Sequence, residues 1–130
     1  MLRRYYAVIE TKDWDALGEL LAPDVVYELP QTRERITGRE PYVRFNREYP
    51  GDWQLELTRL IVDGDRAAGT MNFLVGGTTM LGIGLFELSG GLIKRITDIW
   101  PVSYDPPPGR EHLAERLPDL SEFTDKPEPA

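Results

Sequence analysis

The chain has 130 residues, 41% hydrophobic and 28% charged, with a formal net charge of −7, no cysteine and one histidine, His112. That fits one folded domain burying roughly two-thirds of its unfolded surface, and it excludes a disulfide framework, a thiolate metal site and a multi-histidine metal site. An acidic balance without a basic stripe argues against nucleic acid as a partner, while the lack of an apolar run of membrane-spanning length or a signal-peptide core points to the cytoplasm.

Residues 2–10 place Leu2, Tyr5, Tyr6 and Ile9 on one helical face. Asp13 stands where it can cap a second helix, whose buried side is Trp14, Leu17, Leu20 and Leu21. Ala22-Pro23-Asp24 is expected to end that helix, because proline disfavours the helical region for the residue before it. Val25–Leu29 is β-branched and aromatic and reads as a short first strand closed by Pro30. Arg33-Glu34-Arg35 reads as an exposed loop, or with Gln31 and Thr32 as a lid. Thr37-Gly38-Arg39-Glu40 has the spacing of a capping box, and Pro41 falls in a first turn. A third helix is therefore predicted to about Arg47, presenting Tyr42, Phe45 and Tyr49.

From Trp53 the pattern changes to period two. Strands are predicted over 53–62, 66–75, 78–88 and 92–101, separated by Asp63-Gly64-Asp65, Gly76-Gly77 and Ser89-Gly90-Gly91. Helices followed by a four-strand meander make an α+β layout. Beyond Val102 the consecutive prolines 106–108 favour an extended chain, Arg110–Leu117 is expected as a short helix, and Thr124–Ala130 as disordered. The domain is placed at 1–104 and a proline-rich tail at 105–130.

Four stretches occur in a telling order: Lys12–Leu17, Leu21–Tyr27, Ile36–Glu40 and Gly90–Trp100. Together they resemble the helix-turn, first-strand, third-helix and last-strand signatures of SnoaL-like proteins in the nuclear transport factor 2-like superfamily, over residues 1–104. The resemblance implies a curved, mostly antiparallel sheet forming a cone (a cystatin-like α+β barrel) with three N-terminal helices around one apolar pocket. It does not imply one activity, since the fold hosts isomerases, epoxide hydrolases, polyketide cyclases and proteins with none. Ketosteroid isomerases use a helix-one tyrosine, a protonated aspartate and a first-strand aspartate as base. Counting from Asp13, the tyrosine position falls on Tyr5, the base position on Leu29 and the second aspartate near Gly82 or Gly84. Both carboxylates are missing, which rules against that mechanism. The Asp–Arg–Asp set of limonene-epoxide-hydrolase-like chemistry also finds no carboxylate on the middle strand.

Alternation puts Tyr27 and Leu29 on one face, and Ile96, Asp98 and Trp100 on one face that the resemblance turns inward. Gly69, Met71 and Phe73 join them, opposite Gly82, Gly84 and Phe86. Asp98 is the candidate general acid–base, because an acid between Ile96 and Trp100 is poorly hydrated and its pKa rises; the alternative is a structural acid bonded to Tyr5, backbone or an arginine. Tyr5 is the candidate polariser of a ligand carbonyl, or a half-buried helix tyrosine with a wet hydroxyl. Tyr27, Leu29, Tyr42, Trp53, Met71, Phe73 and Trp100 are expected as ligand wall, with plain core packing the alternative. Asn46 either reaches the pocket mouth or faces solvent at the end of helix three. Gly82 and Gly84 either permit sheet curvature or leave room for a ligand. Leu81, Ile83 and Leu85 fall on the convex face, through which relatives commonly dimerise; a homodimer is expected there, or a cover made by Tyr104, Leu113 and Leu117 of the tail. The expected ligand is a small apolar metabolite. No phosphate loop or dinucleotide fingerprint is present, so no cofactor is expected. Two functions remain: an isomerase, cyclase or hydratase using Asp98 and Tyr5, or a non-catalytic binding or dimerisation module.

Overall fold

The structure, a computed structural model, describes residues 1–118. Helices α1 (Leu2–Glu10) and α2 (Trp14–Glu19) form a hairpin. α1 buries Leu2, Tyr5, Tyr6, Val8 and Ile9. Lys12 turns the chain through a left-handed conformation at φ 57°, and Asp13 caps α2 by accepting the N–H of Ala16 at 3.2 Å.

α2 stops before the position the proline predicts. Strand β1 (Leu21–Leu29) has already begun, because Leu21 pairs with Ile93 and the Ile93 N–H donates to Leu20 O at 2.9 Å. Pro23 lies where this pairing shifts register between Leu21 and Val26, so its missing N–H leaves no ladder bond unmade. The first strand is thus longer than its β-branched run implies.

Two local expectations are corrected. Residues 34–35 lie in a strand, β2 (Glu34–Thr37), antiparallel to β1 with Glu28 opposite Arg35. A four-residue polar edge strand carries no apolar alternation to betray it. The capping box does not form: α3 (Arg39–Arg47) is capped by Gly38 at φ 106°, with no side-chain cap bond. Thr37 is occupied in the sheet opposite Val26.

The meander is β3 (Trp53–Asp63), β4 (Arg66–Val75), β5 (Thr78–Ser89) and β6 (Leu92–Ile99). Its tight turns put Gly64, Gly76, Gly77, Gly90 and Gly91 at φ between 57° and 78°, where glycine avoids the Cβ penalty. The six strands form one sheet in the order β2-β1-β6-β5-β4-β3. β6 pairs antiparallel with β5 and parallel with β1, so it lies inside the sheet rather than at an edge. The sheet is curved and unclosed, in the α+β cone arrangement. α1 covers the β3 edge in part: Glu10 accepts the Leu57 N–H at 3.2 Å beside a bulge, and Lys12 Nζ donates to Trp53 O at 2.9 Å.

Beyond Ile99 the described chain has no regular element. The helix expected at 110–117 is absent; residues there form turns, with Leu113 N–H donating to Arg110 O at 3.0 Å. Leu113 is 75% exposed, so it gives no apolar burial to offset helix nucleation. The expectation for 124–130 lies outside the described residues.

Ile93 and Ile96 of β6 are 0% exposed and Leu17, Leu21 and Val25 pack in the same cluster. Ile96→Ala is expected to cost about 2–5 kcal/mol in urea unfolding, with the same element content by circular dichroism.

Candidate active site

On the concave face the register builds two rows. Leu60, Gly69, Gly84 and Asp98 stand side by side on β3, β4, β5 and β6. Leu57, Met71 and Gly82 form the next row, towards Trp100. Asp98 therefore faces the space under the helices from the sheet's interior, in a row where β5 and β4 present only glycine.

Asp98 is 8% exposed. Tyr27 Oη donates to its Oδ2 at 2.6 Å. Burial raises the acid from 3.8 to about 7, although the Tyr27 bond pulls the other way. Among the described residues no lysine or arginine contributes to that shift. The groups that sense the Asp98 charge are Tyr5 and Tyr6 on α1, Tyr27 on β1 and Tyr42 on α3, all four raised above the ordinary tyrosine value with burial the largest cause. Raised phenols stay protonated near neutral pH and act as donors, so Asp98 is the one group of this cluster that changes charge there.

Tyr5 Oη does not reach Asp98. It shares a short hydrogen bond with Tyr42 Oη. The two hydroxyls hold two protons and the bond between them uses one, so one O–H remains to be donated elsewhere. Asn46 donates to Tyr42 O at 2.9 Å, within its own helix. Tyr27 stacks at a tilt against Tyr42 with centroids 4.6 Å apart, which fixes both hydroxyl-bearing rings.

A concavity of about 1480 Å³ adjoins these groups. It exceeds a ligand pocket of roughly 300–1,000 Å³, because it continues round α3 to the exposed Arg44 and Arg47. Its lining brings together Tyr5, Tyr27, Leu29, Tyr42, Trp53, Met71, Phe73, Asp98 and Trp100. Trp53 and Phe73 stack with centroids 5.7 Å apart, and Phe73 meets Trp100 edge-on at 5.5 Å. The wall is aromatic from β3 to β6, and Asp98 lies at its inner end.

A family model described as a SnoaL-like domain matches the chain over residues 2–96, ending two positions before Asp98. The chain belongs to the SnoaL-like family. This SnoaL-like chain is 50% identical to a Kribbella flavida protein of solved structure that is named provisionally as a ketosteroid isomerase, with TM-score 0.89, covering 98% of this chain and 92% of that one. A Mycobacterium tuberculosis epoxide hydrolase of the LEH-like kind shares the fold at 21% identity and TM-score 0.66, covering 77% of this chain and 79% of that one. A Xanthomonas campestris protein named provisionally as a polyketide cyclase does so at 23% identity and TM-score 0.65, covering 77% and 87%. No curated protein matches the chain.

The two inward glycines do not leave room for a ligand. A Cβ on Gly82 would lie 2.5 Å from Trp100 Cζ3 and 2.9 Å from Met71 Cε; one on Gly84 would lie 2.8 Å from Tyr6 Oη. The space is taken by the chain's own side chains. Two residues escape sequence reasoning. Tyr6 registers only as a core position of α1, and Gln31 only as part of a loop or lid, with no sign of its hold on Trp100. Gln31 grips the Trp100 backbone from both sides, Nε2 donating to Trp100 O and Oε1 accepting the Trp100 N–H, so the β1–β2 turn holds the end of β6 and its indole.

The raised Asp98 acid makes stability pH-dependent. The folded state keeps a proton that the unfolded chain releases between pH 3.8 and about 7, so this contribution is complete below the unfolded value and lost as pH rises through the folded one. Relative to Asp98→Asn, the wild type is expected to lose up to about 4 kcal/mol between pH 4 and 8, measured as the difference between two urea titrations at each pH.

Proposed function

We propose that this SnoaL-like protein moves a proton on a small, flat, uncharged molecule bearing a carbonyl group, with Asp98 as general base and then acid. The observation that carries the proposal is the setting of that carboxyl: buried, poised near 7, held by one hydroxyl and facing an aromatic wall. The ionised carboxylate takes a proton from a carbon next to the carbonyl, the C–H electron pair moves into an enolate, and the same carboxyl returns the proton to that carbon or to its vinylogue. The proton left over by the Tyr5–Tyr42 pair is donated to the developing enolate oxygen. An aromatic wall and one titrating acid suit a neutral ring system better than an anion, because among the described residues no cation contributes to the Asp98 shift at the inner end. The isomerase name of the Kribbella relative supports this class of reaction. The first-strand carboxylate of ketosteroid isomerases is absent here, Leu29 standing in that position, so both proton steps fall to Asp98.

Uptake of deuterium from solvent by cyclic ketones and enones, followed by NMR, tests the proposal without knowing the natural substrate. The exchange rate is expected to rise with pH through about 7 as Asp98 ionises, and to fall by about 10²–10⁴-fold in Asp98→Asn. Exchange untouched by that change would remove Asp98 from the chemistry and leave a binding module.

We further propose that the chain pairs with a second copy through the convex face. Ile61, Ala68 and Leu85 stand side by side there, Ile61 and Leu85 are exposed, and the tail does not bury its own Tyr104, which is 83% exposed. Leu85→Glu is expected to convert a dimer to a monomer in light scattering; a wild type that is monomeric at tens of micromolar concentration overturns this.

A further inference from the structure

The hydroxyl of Tyr6 is a buried polar atom that the core packing alone does not explain. Tyr6 is 1% exposed, and its Oη is buried with no hydrogen-bond partner among the described residues. Leaving a buried donor unmade is costly, and a phenylalanine would pack the same ring without that cost. The sheet also yields to this atom. Gly69 and Gly84, register partners on β4 and β5, are both glycine, and a Cβ on either would come within 2.9 Å of Tyr6 Oη. Two strand-interior glycines thus admit one hydroxyl, although glycine weakens a strand.

Asp98 lies across that trough. It is the register partner of Gly84, and a Cβ on Gly84 would stand 2.8 Å from Tyr6 Oη and 3.2 Å from Asp98 Oδ1. Tyr27 holds the other carboxylate oxygen, Oδ2. Oδ1 and Tyr6 Oη therefore flank the same bare backbone position, one an acceptor when ionised, the other an unused donor. The remaining titratable groups around Asp98 are Tyr5, Tyr27 and Tyr42.

We propose that Tyr6 is the positioning residue for the ionised form of Asp98: on losing its proton the carboxylate turns about its Cβ–Cγ bond so that Oδ1 accepts the Tyr6 hydroxyl while Oδ2 keeps that of Tyr27. The inference rests on the reading of Asp98 as the titrating acid of the site, and adds what stabilises its charged state. A tyrosine hydroxyl suits this task because it can donate to the anion and release the acid without itself ionising. The rival partner for Tyr6 is the Arg59 carbonyl oxygen, 3.3 Å from the Cβ position on Gly69. That bond would satisfy the hydroxyl but would be indifferent to the charge on Asp98.

The test is the carboxyl ¹³C titration of Asp98 by NMR in the wild type, Tyr6→Phe and Tyr27→Phe. Hydrogen bonds to the charged form lower a pKa, so removing the Tyr6 donor is expected to raise the Asp98 midpoint by about one unit, in the same direction as Tyr27→Phe. A midpoint in Tyr6→Phe within about 0.2 units of the wild type, with Tyr27→Phe shifted, overturns the role of Tyr6 and leaves the Arg59 carbonyl as its partner. A wild-type midpoint near an ordinary carboxylic acid would instead sink the acid–base reading of Asp98, while the difference between the two curves would still decide the place of Tyr6. Both variants delete one oxygen and keep the ring, and their melting temperatures verify folding.

Discussion

The chemistry of this site depends on one carboxyl that is buried, with no cation contributing to its shift among the described residues. An isolated carboxylate in an apolar interior is costly enough that the group keeps its proton instead. Here the solution is intermediate. One hydroxyl, that of Tyr27, bonds Asp98, buried tyrosines of α1 and α3 sense its charge, and among the described residues no cation contributes. The Tyr27 hydroxyl offsets part of the desolvation without abolishing it, which leaves the acid poised near 7 rather than locked in either state. An arginine in the same place would have held Asp98 ionised and inert.

The position of β6 makes this arrangement available. As an interior strand between β5 and β1, it presents its inward residues to the full depth of the cone, with Ile96 below and Trp100 above Asp98. The glycine rows of β4 and β5 complete the geometry by lowering the floor beside it. Tyr6 sinks over Gly69 and Gly84, and the Trp100 indole lies over Gly82. The curvature of the sheet and the packing of the aromatics are one feature, since each bare position on the strand is matched by a large ring from elsewhere in the chain.

Much of this was legible in the sequence, for identifiable reasons. The face of α1, the Asp13 cap and the four meander strands are set by local spacing, and they stand where local spacing puts them. The inward direction of Asp98 needed only a period of two and the resemblance of its strand to SnoaL-like last strands. Failures occurred where a local signal competed with a distant partner. Thr37 has the form of a cap but is taken by a strand eleven positions before it, at Val26. Leu20 and Leu21 carry a helical pattern, yet pairing with β6, more than seventy positions later, draws Leu21 into the sheet. Gly82 and Gly84 read equally well as space for a ligand, because nothing near them in sequence says that Trp100 and Tyr6 will fill it.

A site with a single titrating carboxyl on one wall constrains stereochemistry as well as rate. If Asp98 both removes and returns the proton, the two events occur on the same face of a flat substrate, since the carboxyl rises from the sheet on one side only. Two carboxylates on opposite strands, as in a site with separate acid and base, would leave that outcome open. On the proposed reading Asp98 is the single base, with Leu29 rather than an acid on the first strand, so transfer is suprafacial, and the aromatic wall from Trp53 through Phe73 to Trp100 suits it by holding a ring system flat while the proton moves along one face.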